Sequence, residues 1–251
     1  NNWKFFFGYD STAKKPGFND EAWRMLNLPH DWSIEGKFDS LAPAGAEGGA
    51  LPGGIGWYRK TFSVPSSSKN KNVFIDFDGI YRLSEVWING HYLGKRPNGY
   101  ISFRYDLTPY LHYGNSKNVI AVRVDNAAQP NSRWYSGSGI YRHVWLVTTA
   151  KVYVDQWGTS ITTPVVNSDS AVVSVSITVG NHHPAASKIS VKTTMLDSVT
   201  EVSSITAEME VSANGSGTIT QQLGVANPKL WSPEQPYLYK AVTQIISDGK
   251  T

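Results

Sequence analysis

Val86-Trp87-Ile88-Asn89-Gly90-His91-Tyr92-Leu93 reads as a β-hairpin. Asn-Gly between two runs of β-branched and aromatic residues supplies the pair of positive φ values that a type I′ turn needs, and its twist matches that of the flanking strands. Further β signals lie on both sides, at Trp57–Val64, Val73–Phe77, Ser84–Ile88, Val119–Val124 and His143–Val147. Trp3–Phe7 adds a short strand or extended arm. A helical turn is expected over Asp20–Leu26, with Asn19 or Asp20 capping its free N–H groups. A long Gly/Pro/Ala-rich loop runs from Gly36 to Gly56. Many short strands and long loops over about 150 residues favour a jelly-roll β-sandwich.

Composition divides the chain. Of its 31 aromatic residues, 26 lie in residues 1–150, including all nine Phe and seven of the nine Trp. The remainder is rich in Ser, Thr and Val. Two cores of different make-up follow, with a boundary near Thr148–Lys151. Beyond it, Val172–Val179, Lys188–Leu196, Ser203–Val211, Gly217–Val225 and Leu238–Ile246 are strand-length and spaced as in an immunoglobulin-like sandwich. Turns fall at Gly180–Pro184 and Ala213–Gly217. The reading is all-β, two sandwiches in tandem.

The charge balance, 23 basic against 20 acidic residues in 251, is too even and scattered to argue for nucleic acid or acidic lipid. No apolar run approaches the ~18 residues of a membrane-spanning helix. Zero cysteines exclude disulfides, thiolate metal sites and cysteine catalysis. Ser136-Gly137-Ser138-Gly139 lacks the first glycine of a nucleophile elbow. The glycine loop at 48–56 lacks the ending of a phosphate loop. His182-His183 sits in a turn with no third ligand at metal spacing, and Asn214-Gly215-Ser216 fits the glycosylation sequon. Glycosidic hydrolysis needs two facing carboxylates, and the Asp and Glu residues here fit surface and turn roles. No catalytic residue, metal or cofactor is assigned.

Two loop segments carry ligand chemistry: Leu28-Pro29-His30-Asp31-Trp32-Ser33-Ile34-Glu35-Gly36 and Asn131-Ser132-Arg133-Trp134-Tyr135-Ser136-Gly137-Ser138-Gly139-Ile140-Tyr141-Arg142. Sugars present apolar C–H faces and dense hydroxyls, so their sites combine aromatic rings with Asp, Asn and Arg. Trp32, Trp57, Trp87 and Trp145 read as core. Asp31, Arg133, Trp134 and Tyr135 are the candidate binding residues.

Taken in order, Gly56-Trp57-Tyr58-Arg59-Lys60-Thr61-Phe62, Phe77-Asp78-Gly79-Ile80 with Glu85–Gly90, Tyr105–Leu111, Asn118–Val124 and Gly137–Leu146 resemble the N-terminal sugar-binding domain of family 2 glycoside hydrolases. Asn227-Pro228-Lys229-Leu230-Trp231-Ser232-Pro233-Glu234-Gln235-Pro236-Tyr237-Leu238-Tyr239 resembles the closing segment of that family's immunoglobulin-like domain. Leu28–Trp32 and Leu51–Gly54 look most like its β-galactosidase branch.

The resemblance implies a galactose-binding-domain-like jelly roll at 1–148 and an immunoglobulin-like sandwich at 149–251. It also implies a catalytic (β/α)8 barrel, as partner in the same polypeptide, after residue 251. The family's acid/base glutamate follows an asparagine, and no Glu here does. The expected whole is a retaining exo-β-galactosidase, the fragment alone being inactive; β-glucuronidase and β-mannosidase specificities stay open. Asp31 would accept from sugar hydroxyls, Arg133 would donate to them or orient a carboxylate, and Trp134 and Tyr135 would offer stacking faces. Other members carry an acidic residue near Arg133. The second sandwich would act as a spacer. A free-standing carbohydrate-binding module and a structural adhesion module are the competing readings. Secretion or a periplasmic address is compatible with either sugar reading.

Overall fold

The computed structural model describes residues 1–247. The chain forms two compact units, Asn1–Thr148 and Thr149–Thr251.

The first unit is a jelly-roll sandwich. Its six-stranded sheet contains β1 (Trp3–Phe7), β2 (Arg24–Leu26), β3 (Gly54–Phe62), β5 (Ser84–Ile88), β6 (His91–Arg96) and β8 (Asn118–Asn126), in the order β2-β1-β3-β8-β5-β6. A three-stranded sheet, β7-β4-β9, is made by β4 (Asn72–Phe77), β7 (Phe103–Asp106) and β9 (Val144–Thr149). Alternate side chains of β3, β5 and β8 (Tyr58, Val86, Ile88, Ile120, Val122, Val124) join Val73, Ile75 and Phe77 of β4 and Phe103 and Tyr105 of β7 in one core. Period-two alternation places them together, because successive strand residues face opposite sides of a sheet. The Asn89-Gly90 turn adopts φ of 50° and 84°, as the hairpin reading requires.

The other face of the large sheet is not open to water. Trp57, Trp87 and Ala121 form a small buried cluster there with Ala13, and Phe18 and Trp23 pack against it. Arg59, 2% exposed, fastens the 10–20 segment over this cluster. Its Nε donates to Asp20 Oδ2 at 2.8 Å, and its Nη atoms donate to the carbonyls of Ala13, Lys15 and Pro16. A buried guanidinium is tolerated here because four of its five N–H groups find acceptors.

The expected helical turn at Asp20–Leu26 is cut to a single hydrogen-bonded turn, in which the Trp23 N–H donates to the Asp20 carbonyl at 3.1 Å. Asn19 does accept the Glu21 N–H at 3.0 Å. But the Asp20 carboxylate is taken by Lys4 and Arg59, and Arg24–Leu26 pairs antiparallel with β1. Sheet pairing and a buried ion pair override the local cap. Trp145 is also corrected. It is 53% exposed, with its indole N–H on Asp78 Oδ2 at 3.0 Å, whereas Trp32, Trp57 and Trp87 are buried.

The second unit is an immunoglobulin-like sandwich of two three-stranded sheets. One is β10-β11-β14, from β10 (Val152–Val166), β11 (Ser170–Asn181) and β14 (Gly215–Ala226). The other is β13-β12-β15, from β12 (Ser187–Asp197), β13 (Thr200–Val211) and β15 (Lys240–Ile246). Its core is aliphatic: Val173, Val175, Ile177 and Val179 of β11, Leu223 and Val225 of β14, and Ile189, Val191 and Met195 of β12. Polar side chains cross it at two places: Asn181 Nδ2 lies 3.1 Å from the Val211 and Ser212 carbonyls, and a second bridge starts at Thr193. Thr193 Oγ1 donates to Gln221 Oε1, and Gln221 Nε2 donates to the Val191 carbonyl at 2.8 Å. The long strand β10 has no counterpart in the sequence reading. Its register on β11 shifts between Val154 and Thr159, and Trp157 in that bulge has φ of 57° and is 82% exposed.

Candidate functional site

The two ligand-like loop segments meet in the first unit. The backbone of 28–33 runs beside 138–140: His30 N–H donates to the Ile140 carbonyl at 2.8 Å and Trp32 N–H to the Ser138 carbonyl at 3.1 Å. Ladder-type bonds thus join stretches that lie over a hundred residues apart, and this brings Asp31 to Tyr135.

Asp31 is largely consumed by that junction. Its Oδ1 accepts the backbone N–H of Ser33 at 2.9 Å and of Ser138 at 2.8 Å, and its Oδ2 accepts the Tyr135 hydroxyl. An ionised carboxylate has roughly four acceptor positions, so about one, on Oδ2, is left for a ligand. Gly137 makes the approach possible. Its φ is 72°, and a Cβ there would fall 2.7 Å from Asp31 Oδ2. Burial, and after it the Asp31 carboxylate, push the Tyr135 hydroxyl well above its ordinary value, so it stays a donor.

Trp134 is 61% exposed, its indole N–H 3.3 Å from the Tyr100 hydroxyl. Tyr135 is 39% exposed, so both rings show part of a face. Arg133 is exposed and makes no hydrogen bond or ion pair among the described residues. The structure thus brings Asp31 and Tyr135 into contact and sets Trp134 and Arg133 on the same loop beside them.

Beneath the loops runs a polar network that the sequence reading missed. Ser33 Oγ lies 2.6 Å from the Pro52 carbonyl and 2.7 Å from Ser138 Oγ. Asn126 Nδ2 donates to Ser138 Oγ at 2.7 Å and to the Gly137 carbonyl at 3.1 Å. Asn131 Nδ2 donates to Asn126 Oδ1, and the Tyr81 hydroxyl donates to Asn131 Oδ1 at 3.2 Å. Ser33, Asn126 and Ser138 are buried. A connected buried network has one good arrangement and rigidifies what it supports. The signal for Asn126 was available: it follows Ile120, Val122 and Val124 at period two on the inward face of β8.

A second network anchors the 28–36 segment. The buried His30 ring lies between the Tyr58 hydroxyl, 2.7 Å from Nδ1, and Arg24 and Glu35, 2.9 and 3.3 Å from Nε2. Burial pushes His30 below its ordinary value, against the opposing pull of Glu35. Burial raises Glu35, but hydrogen bonds from Arg24 and His30 outweigh it and hold the carboxyl below its usual range.

The cleft enclosed between the 44–53 loop and residues 126–137, lined by Ser33, Leu51, Asn131, Trp134 and Tyr135, measures only about 10 Å³. That admits about one water molecule. A pyranose is too large to enter it. Rings with exposed faces, a free guanidinium and one open carboxylate position form a surface suited to hydroxyl-rich ligands.

These features define a tandem β-sandwich protein whose first unit carries a preorganised polar-aromatic loop cluster. Residues 50–150 match the sugar-binding domain of glycosyl hydrolases family 2, and residues 152–251 match glycosyl hydrolases family 2. The chain belongs to glycoside hydrolase family 2. It is 50% identical, over 98% of its length, to a β-galactosidase of Bacteroides ovatus, of which it spans 29%. It is 45% identical over its whole length to a putative β-glucuronidase of Formosa agariphila, spanning 23% of that protein. A solved family 2 member from Bacteroides cellulosilyticus superposes with a TM-score of 0.94 at 36% identity, covering 99% of this chain and 33% of the other.

Proposed function

We propose that this chain is the N-terminal, non-catalytic part of a retaining exo-β-galactosidase that degrades carbohydrate. In this reading residues 1–148 present the sugar-facing loops and residues 149–251 act as a spacer toward a catalytic barrel later in the same polypeptide. The observation that carries it is the 50% identity to a β-galactosidase across nearly all of this chain, combined with a span of 29% of that relative. The loop cluster supports a share in the terminal-sugar pocket. Trp134 and Tyr135 offer C–H stacking faces, Arg133 donates, and Asp31 both positions Tyr135 and keeps one acceptor site open.

One feature favours a second specificity. Arg133 is an exposed cation with no partner among the described residues, suited to the carboxylate of a uronic acid, and a putative β-glucuronidase is among the similar proteins. Chromogenic β-galactoside, β-glucuronide and β-mannoside, offered to the 251-residue chain and to the longer gene product, separate these readings. Turnover by the longer protein alone, led by the galactoside, supports the proposal. Preference for the glucuronide, lost in Arg133→Ala, replaces it with the second specificity. Turnover by the 251-residue chain alone defeats both.

A further inference from the structure

A larger cleft, about 450 Å³, shares Pro52 with the small one beside Tyr135. It is lined by Phe6, Phe7, Trp23, Trp32, Arg24 and Glu35, among others. Its size falls within the range of about 300–1,000 Å³ typical of small-molecule sites. Phe6 stacks on Trp23 at 5.4 Å and 20°, and Phe7 lies 6.0 Å from Trp32. Phe6 and Phe7 are 38% and 52% exposed. The backbone makes room for these rings. A Cβ at Gly54 would stand 2.9 Å from the Phe7 ring, and one at Gly56 2.6 Å from the Trp32 ring.

An ion pair shares this aromatic cleft. Arg24 Nη2 donates to Glu35 Oε2 at 2.6 Å, and both side chains are about half exposed. Glu35 Oε1 and the Nε and Nη1 of Arg24 have no hydrogen-bond partner among the described residues. The pair therefore offers one acceptor and several donors side by side while its net charge is zero. A vicinal diol matches that arrangement, one hydroxyl donating to Glu35 and the other accepting from Arg24, while the sugar's C–H face lies on the rings. An apolar protein surface would fit less well, because it would dehydrate the pair without satisfying it.

We propose that this cleft is a second carbohydrate-binding site, taking a neutral oligosaccharide of about two sugar units, distinct from the rim at Trp134 and Tyr135. It does not depend on that rim binding sugar. The test is NMR titration of the 251-residue chain with lactose and with cellotetraose, reading the indole N–H resonance of Trp23. A saturable shift with at least one of them is expected. Phe7→Ala and Glu35→Gln should each weaken it about fivefold or more, and Trp134→Ala should leave it unchanged. Phe7 and Glu35 are exposed enough that the variants should fold, which circular dichroism checks. No saturable shift with either sugar, or binding indifferent to Phe7→Ala, overturns the proposal. Concentration-dependent self-association abolished by Phe7→Ala, without sugar binding, overturns it in favour of a contact between copies.

Discussion

The first unit and the second solve the same problem, covering two faces of a β-sandwich, with different materials. The second uses β-branched aliphatics on long strands, with fewer polar fasteners: the bridge from Thr193 through Gln221 to the Val191 carbonyl, and buried Asn181 on the carbonyls of Ala185, Val211 and Ser212. The first uses aromatic rings on short strands and adds buried polar fasteners: Arg59 over the outer cluster, His30 under the 28–36 segment, and Asn126 with Ser138 under the ligand loops. Regular burial holds a shape, whereas buried polar networks also fix loops in one arrangement. The contrast places most of the fixed loops in the first unit.

If the fasteners matter as described, the largest effect comes from Arg59. Arg59→Ala leaves Asp20 with Lys4 alone and strips the donors from three carbonyls, so the first unit should lose about 3–5 kcal/mol. Calorimetry with near-ultraviolet circular dichroism, which reports the aromatic unit, should show this transition move while that of the second unit stays. Ile177→Ala is the mirror experiment. It empties a fully buried site in β11 and should cost the second unit about 2–5 kcal/mol with the aromatic signal unchanged. A single coupled transition in both variants would break the comparison.

Smaller changes sharpen it. Asn126→Ala removes the donor shared by Ser138 and Gly137 and should cost about 1–3 kcal/mol. Because those partners lie under the loops, hydrogen exchange should quicken at 131–138 more than in the strands. Smaller still is a pH effect at His30. The ring faces Arg24, Glu35, Asp31 and Tyr58 and is held below its ordinary value of 6.5, mainly by burial. The unfolded chain therefore takes up the proton first as pH falls. Stability from keeping His30 neutral is complete above about 6.5 and declines below it. Urea midpoints of the first unit should drop between pH 7 and 5, and His30→Gln should flatten that slope.

Legibility in the sequence followed the same division. In the second unit clean alternation located β11 to β14 to within three residues at each end. It did not reveal β10, whose burial pattern is mostly exposed and whose register breaks around Trp157. In the first unit the Asn89-Gly90 hairpin was plain. Local cap chemistry at Asn19 and Asp20 misled, because the competing partners, Arg59 and β1, are distant in sequence. Trp145 misled for a related reason: aromatic character predicts burial, but its indole N–H found Asp78 at the surface. Asp31 and Tyr135 stood out in the sequence as candidate binding residues. Their contact, and the network of Ser33, Asn126 and Ser138 beneath, depended on a pairing across a hundred residues that no local pattern carries.

The most direct test of a sugar-facing role for the first unit's loops is the steady-state kinetics of Trp134→Ala in the longer gene product, on its preferred chromogenic glycoside. The account predicts that kcat/KM falls about tenfold or more, mainly through KM, with the unfolding transition of the first unit unmoved. Kinetics indistinguishable from those of the unaltered protein would contradict it.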